Sequence, residues 1–310
     1  MNKELVSVVM STYNEPEEWI RKSIESILNQ THINIEFIIV CDNPNNFKLV
    51  NILNEYKNND KRIVLIINKE NLGLSKSLNK AIKLASGKFI ARMDSDDIAL
   101  ENRIDVQLNY LKDYNLDLIG SGVSCIDENE CEISNLNNFP INDKKVRSKV
   151  IYNNCIPHPT WIGKSIVFKD NKGYREIPYA EDYDFILRAL EKGYKFGNID
   201  SILLKYRIRS SSISNKNGLK QFLVSRYLVK LFKQNIINSD INIILNGIYT
   251  EFDNITKEDE NKYYIASANF TDGLMKIKRM NFIGIIDIIK AVVNSNYYRK
   301  KIICYIRGLL

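Results

Sequence analysis

Only two histidines, His32 and His158, occur in the 310 residues, too few to build a zinc site of the usual kind. The five cysteines (Cys41, Cys125, Cys131, Cys155 and Cys304) form no CxxC pair and no Cys/His cluster, so a disulfide framework is not expected and the thiols read as reduced. Thirteen Gly and six Pro are few for this length, which argues against long flexible linkers. No apolar run reaches the ~18 residues that a membrane span requires, and residues 1–4 carry no apolar leader segment, so a cytoplasmic location is expected. Three motifs are also missing: GxGxxG after the first strand, GxxxxGK[ST], and GxSxG. Their absence argues against a dinucleotide dehydrogenase, a P-loop nucleotide hydrolase and an α/β-hydrolase. Finally, charge of one sign is lacking over most of the chain. Of 44 Lys and Arg, eight lie in 275–310, against one of the 37 Asp and Glu, Asp287, so the net charge of +7 resides in the tail and the body is neutral. A nucleic-acid partner is therefore not expected.

What is present is an ordinary globular composition, 45% hydrophobic and 26% charged, arranged in alternating patterns. Leu5–Met10, Phe37–Val40, Ile63–Ile67 and Phe89–Met93 are short, apolar and rich in β-branched residues, and read as buried strands. Between them lie helical spacings: Ile20, Ile24, Ile27, Leu28, then Leu49, Ile52, Leu53, Tyr56, then Leu74, Leu78, Ala81, Ile82, Ala85. Pro16 opens the first of these helices, and Gly87 reads as the left-handed residue closing the third. This β/α alternation implies a parallel sheet flanked by helices, whose ligands sit beyond the carboxyl ends of the strands. From about 103 to 214 the pattern is mixed. A helix carries Ile104, Leu108 and Leu111, and a strand follows near Leu116–Val123. Then come a loop-rich stretch to about Lys164, a helix with Phe185, Ile186, Ala189 and Leu190, and a strand over Ile202–Ile208. Only helical patterns follow Gly218. The expected organisation is a domain over 1–215, with a first half to 100 and a second half over 101–215, and a helical extension over 216–310.

The expected ligand edge is polar: Ser11-Thr12-Tyr13-Asn14, Cys41-Asp42-Asn43 and Asp94-Ser95-Asp96-Asp97. Three carboxylates in four residues repel one another unless a cation is near, and a hard divalent ion takes such oxygens together with substrate phosphates. Asp and Ser are also favoured in turns and at helix N-caps, which explains one of the acids but not three. Glu181-Asp182 stands at the start of a predicted helix. A carboxylate there can take a proton from a hydroxyl, or can simply complement the helix dipole. Asp42 can accept from a nucleobase or ribose, or form an Asx-turn. Tyr13 can stack on a base or pack at the sheet edge. Lys76 and Arg92 can face phosphate oxygens or water. Arg207 and Arg209 share a strand face and can contact a diphosphate or keep an edge soluble. His158, between Pro157 and Pro159, reads first as a rigid-loop residue.

Taken in order, these segments resemble family 2 glycosyltransferases of the GT-A fold over about Val6 to Ser214. The resemblance lies in Val6–Glu15, Ile24–Thr31, Phe37–Asn43, Asn71–Ile82, Ala91–Asp97 (a DxD motif) and Tyr179–Asp184 (an "ED" motif). It implies an α/β, GT-A-type Rossmann-like mixed or parallel sheet flanked by helices, and a nucleotide-sugar donor, with uridine favoured over guanosine. Ser11, Thr12, Tyr13, Glu15, Asp42, Lys76, Asp94 and Ser95 would then surround the nucleotide. Asp96 with Asp94 would hold Mn²⁺ or Mg²⁺, and Arg207 and Arg209 would contact the diphosphate. Asp182, supported by Glu181, would be the base of a single inverting displacement, and His158 would lie on the acceptor side. Members of the family often carry a His two residues after the Arg of a Tyr-Arg motif; here Tyr206-Arg207-Ile208 is followed by Arg209, which suggests a cationic phosphate contact in place of a metal ligand. The implied acceptor is a glycan or lipid-linked glycan of a bacterial surface polysaccharide. The rival readings are a sugar-nucleotide pyrophosphorylase, which would need a Gly-rich, Arg-containing first turn, and a non-catalytic nucleotide-sugar-binding protein.

The tail adds one expectation. Phe282–Val293 is strongly apolar but interrupted by Asp287 and Lys290, and Tyr297–Arg307 mixes basic, aromatic and aliphatic residues. This composition fits a helix lying in an anionic membrane surface on the inner face, over 275–310, and it also fits helices packed on the catalytic domain.

Overall fold

In the computed structural model, which describes residues 4–209 and 217–309, the first hundred residues run β1 (Val6–Thr12), α1 (Glu17–Leu28), β2 (Ile35–Cys41), α2 (Phe47–Asn59), β3 (Ile63–Ile67), α3 (Leu74–Leu84) and β4 (Phe89–Asp94). Every residue of β1 is buried, as expected of a central parallel strand covered on both faces. α1 buries Ile20, Ile24 and Ile27 and places Glu17 and Glu18 in its first turn, where the helix dipole favours acids. Each such buried Ile stabilises the fold by about 1.5–3 kcal/mol. β3, β2, β1 and β4 lie side by side in that order, all parallel. The chain therefore crosses from β3 over to the far side of β1, which makes the β1/β4 seam a topological switch point. Gly87 does not close α3 as expected. The helix is capped at Ala85, and Gly87 lies where a Cβ would come 2.6 Å from Ser7 Oγ and 2.7 Å from Ser7 N. The glycine is there for close approach of backbones, not for a left-handed turn.

The sheet continues through shorter pieces: β5 (Ile98–Ala99), α4 (Arg103–Asp113), β6 (Leu118–Ile126), β7 (Glu132–Leu136), α5 (Asp143–Val150), β8 (Ile162–Lys164), α6 (Ser165–Asp170), α7 (Glu181–Glu191) and β9 (Phe196–Arg207). The nine-stranded order is β3-β2-β1-β4-β8-β6-β9-β5, with β7 on β6. β8 runs antiparallel between β4 and β6, and β9 runs parallel to β6. The stretch expected to be loops up to Lys164 thus holds β7, α5 and β8. β7 is exposed throughout and β8 has three residues, so neither leaves an apolar period long enough to read. β9 begins at Phe196, earlier than expected, and its register against β6 shifts near Gly122.

The chain divides into two compact units. One comprises Met1–Ser148, Asn154–Glu176 and Glu181–Ser210; the other comprises Lys149–Asn153, Ile177–Ala180 and Ser211–Leu310. The boundary expected at 215/216 falls in 210–216, outside the described residues. The second unit contains α8 (Gly218–Lys233), α9 (Ile241–Asp253), α10 (Lys257–Lys278), α11 (Ile283–Asn294) and α12 (Asn296–Leu309). Leu219, Tyr263, Ala266, Ala291 and Tyr298 form its core cluster. α10 starts with a reciprocal capping box between Thr256 and Asp259. No helix among the described residues is long and apolar enough to cross a membrane.

Candidate active site

The parallel register aligns the strand ends. Thr12 pairs with Cys41 and Ser11 with Asp94, so the residues that follow β1, β2 and β4 emerge side by side at the carboxyl edge. After β1, Glu15 accepts from Thr12 Oγ1 (2.7 Å) and from the backbone N–H of Tyr13 (2.9 Å), which fixes a tight turn and leaves the Tyr13 ring exposed. Asn46 of the β2–α2 loop donates to Asn14 Oδ1 (2.9 Å) and ties the two turns together. Ser11 and Ser95 are buried beside them.

Asp42 is buried and does more than an Asx-turn would. Its Oδ1 accepts from Asn68 Nδ2 (2.6 Å) and Leu72 N (2.9 Å), and its Oδ2 from Gly73 N (2.8 Å). It therefore pins the loop into α3, where Gly73 takes a φ of +83° that favours glycine. A carboxylate oxygen has more than one acceptor lobe, so Oδ2 retains capacity for a ligand. Lys76, further along α3, is half-exposed and pairs with Glu176 at 3.1 Å.

The acidic turn after β4 is held from below and from the side. Arg92, fully buried, donates to Asp94 Oδ1, and Arg103, also buried, donates to the carbonyls of Arg92 (2.6 Å) and Pro159 (2.9 Å). Burial, and the like charges of Asp94 and Glu15, push Asp96 up to about 6 although Arg209 opposes the shift. Asp97 is raised well above the usual carboxylate range by burial and by Asp94 and Asp96. Its Oδ1 accepts from Arg207 N (2.8 Å). Arg209 Nη2 lies 2.6 Å from Asp96 Oδ2 and 3.8 Å from Glu15.

Arg207 is not placed as expected. Its guanidinium is buried, donates to the carbonyls of Asp96 (2.8 Å) and Asp127 (3.2 Å), pairs with Glu130 (3.1 Å) and stacks 4.7 Å over Trp19. It braces the acidic turn from inside, and of the two arginines only Arg209 keeps a guanidinium at the acidic surface. Trp19, unnoticed in the sequence because it sits one step off the apolar face of α1, is the platform under both.

Glu181 and Asp182 open α7. Asp182 accepts from Asn154 Nδ2 (2.8 Å) and from Tyr183 N (2.7 Å), bonds that favour its charged form. Burial nevertheless raises it, and burial followed by the charge of Asp182 raises Glu181 to about 7. Both feel the field of Arg92, and Glu181 also that of Asp94, so the pair belongs to the same electrostatic neighbourhood as the acidic turn. His158 Nε2 lies 2.8 Å from the Tyr174 hydroxyl and its ring packs edge-on to Trp161. Burial, then Arg92, lowers His158 well below its ordinary value, so it is a neutral ring at physiological pH. Tyr174 is raised by burial and senses Asp182, Glu181 and Asp94, which brings the His158 side of the fold to this edge. Asn154 and Tyr174 were missed because nothing local in their spacing marks them.

Chemically, the edge offers two hard carboxylates at Asp94 and Asp96, one partly exposed cation at Arg209, and a desolvated carboxylate pair at Glu181/Asp182. No group of three or more Asp, Glu, His or Cys able to hold a metal occurs among the described residues. Asp94 and Asp96 fit a divalent cation of the Mg²⁺ type, which is commonly bound by one or two carboxylates and completed by phosphates and water. Their mutual repulsion is the charge such an ion would offset.

Such an edge, on a mixed sheet flanked by helices, defines the class of GT-A glycosyltransferases. A Staphylococcus aureus TarS fragment (residues 1–349, in complex with UDP-GlcNAc) has the same fold, with a TM-score of 0.59 at 18% identity over 96% of this chain and 90% of that one. The model of "Glycosyl transferase family 2" matches residues 7–171. An uncharacterised glycosyltransferase of Methanocaldococcus jannaschii is 42% identical over 236 residues, 76% of this chain and 81% of that protein. The O-antigen biosynthesis glycosyltransferase WbnJ of Escherichia coli is 34% identical over 239 residues, 76% of this chain and 92% of that protein. The chain belongs to glycosyltransferase family 2.

Proposed function

We propose that this chain transfers a sugar from a UDP-sugar to a glycan or lipid-linked glycan acceptor in surface-polysaccharide assembly, with inversion at the anomeric carbon. The carrying observation is that the parallel register brings the turn after β1, Asp42 and the Asp94–Asp96 turn out at one sheet edge, and that buried Arg92, which donates to Asp94, is also felt by the desolvated Glu181–Asp182 pair. The O-antigen relative supports the polysaccharide setting, and family membership sets the pyrophosphorylase reading aside.

In this reading Tyr13 and Asp42 receive the nucleoside. Asp94 and Asp96 would hold Mn²⁺ or Mg²⁺, and a bound ion would supply charge neutralisation at the diphosphate. Arg209 leaves Asp96 for a phosphate oxygen, a move open to a guanidinium that is one-third exposed. Asp182 takes the proton of the acceptor hydroxyl as its oxygen forms the new bond to the anomeric carbon. The bond from that carbon to the diphosphate oxygen breaks on the opposite face, and UDP departs with the electron pair. Desolvation raises the proton affinity of Asp182 toward that of a useful base, against the opposing hydrogen bonds from Tyr183 and Asn154. Calorimetric titration with UDP- and GDP-sugars, with and without Mn²⁺, tests the donor: UDP-sugars should bind, and chelation should weaken them at least tenfold. Tighter binding of GDP-sugars, or metal-independent binding, would overturn this donor assignment.

A further inference from the structure

The helical unit carries a surface that the catalytic edge does not explain. α11 packs against α10 through its smallest residues. Gly284 and Gly273 meet backbone to backbone, such that a Cβ on Gly273 would come 2.7 Å from Gly284 O, and Ala291 is buried one to two turns further on. Asp287 lies on this packing side and pairs with Lys276 at 2.7 Å. On a 3.6-residue wheel the opposite face collects the large side chains. Met280, Phe282, Ile283, Ile286, Ile289 and Val293 run from the α10–α11 turn along α11 and are 52% to 79% exposed. This inverts the usual amphipathic logic, in which large apolar residues go inward and small or polar ones outward. A contiguous stripe of this kind marks a contact surface.

The charges around the stripe choose its occupant. Lys278 and Arg279 flank the turn, Lys290 lies on α11, and Arg299, Lys300 and Arg307 are exposed on α12. The only acid in 275–310, Asp287, is already paired. A two-fold contact with a second copy would set these cations against one another. An anionic lipid surface instead accepts both components at once, aliphatic side chains below the headgroups and Lys/Arg among them. We infer that α11, with the α10–α11 turn, lies in the interface of an anionic bilayer. The inference rests on the helical unit alone and stands whichever nucleotide-sugar the catalytic unit uses.

Co-sedimentation of the full chain with phosphatidylcholine vesicles, with and without phosphatidylglycerol, tests it. Binding should be at least tenfold stronger on the anionic vesicles and should fall at high salt, since each basic residue near such a surface contributes roughly fivefold to partition. Ile286→Asp with Ile289→Asp should abolish binding. Lys278→Glu with Arg279→Glu, which leaves the stripe intact, should weaken it more than tenfold. All four sites are exposed, so both variants should keep the wild-type circular dichroism spectrum and melting temperature. Equal binding to both vesicle types, or no binding by a folded protein, would overturn the inference. So would concentration-dependent dimers, seen by sedimentation velocity, that the Ile286/Ile289 variant loses, because the stripe would then be covered by a second copy.

Discussion

Asp96→Asn should make the ligand-free protein more stable. Burial and the charges of Asp94 and Glu15 raise Asp96 from an ordinary 3.8 to about 6. A rise of that size corresponds to a charging cost on the order of 3 kcal/mol at neutral pH, taken as an upper bound. The lost partner Arg209 is one-third exposed, so its unpairing costs little. A net gain of about 1–3 kcal/mol raises the melting temperature by roughly 2–5 °C for a chain of this size. Because the folded pKa lies above the unfolded one, the wild type has this stability in full below about 3.8 and loses it as pH rises through about 6. Asparagine does not titrate there, so the advantage of the variant should be complete above about pH 7 and vanish below about pH 4. Thermal melts across that range read it directly. Mn²⁺ with UDP should reverse the order, since only the wild type retains both carboxylates and a ligand at a hundredfold its dissociation constant adds about 2.7 kcal/mol. A variant less stable than the wild type at neutral pH, or equally advantaged at both ends of the range, would refute the electrostatic account of the turn.

Two further perturbations separate chemistry from packing. The rate of transfer, as kcat/KM, should fall on the acid side at a pH above the ordinary carboxylate range, because burial raises Asp182 and it must be ionised to accept a proton; an acid limb at the ordinary carboxylate position would detach Asp182 from the reaction. Gly87→Ala should destabilise by about 1–3 kcal/mol without changing nucleotide affinity, because its Cβ would press on Ser7 and on the carbonyl of Leu5 at 2.9 Å; a neutral melt would show that this approach can relax.

The sequence was informative where local periodicity and burial coincide. The strands and helices through β4 were legible because each buries one regular face, and the order of polar strand ends led to the acidic turn. What was hidden depends on long-range pairing. Arg207 reads as a surface charge on a strand, yet the fold surrounds it with Asp96, Asp127, Glu130 and Trp19, residues up to 188 positions away. Arg92 and Arg103 read locally as ordinary charges on a strand and a helix, and only the assembled sheet reveals that they underpin the carboxylates. Asn154 reaches Asp182 from a segment with no periodicity at all. The composition of α11 allows either a membrane-lying or a packed helix, and only the fold shows that Gly284 and Ala291 face inward while Ile283, Ile286, Ile289 and Val293 stay exposed.

The central claim, that Asp182 acts in the chemical step, is tested most directly by measuring UDP-sugar affinity and UDP release in parallel for wild type and Asp182→Asn in Mn²⁺. Asparagine matches the shape of the aspartate and can still accept from Tyr183 N through Oδ1; it removes the base and replaces the oxygen that accepts from Asn154 Nδ2 with an NH₂ group. The account predicts an affinity unchanged within about threefold and a rate lower by roughly 10²–10⁴. Collapse of binding with normal turnover of the remaining complex would contradict it, and would make Asp182 a cap of α7 and not the base.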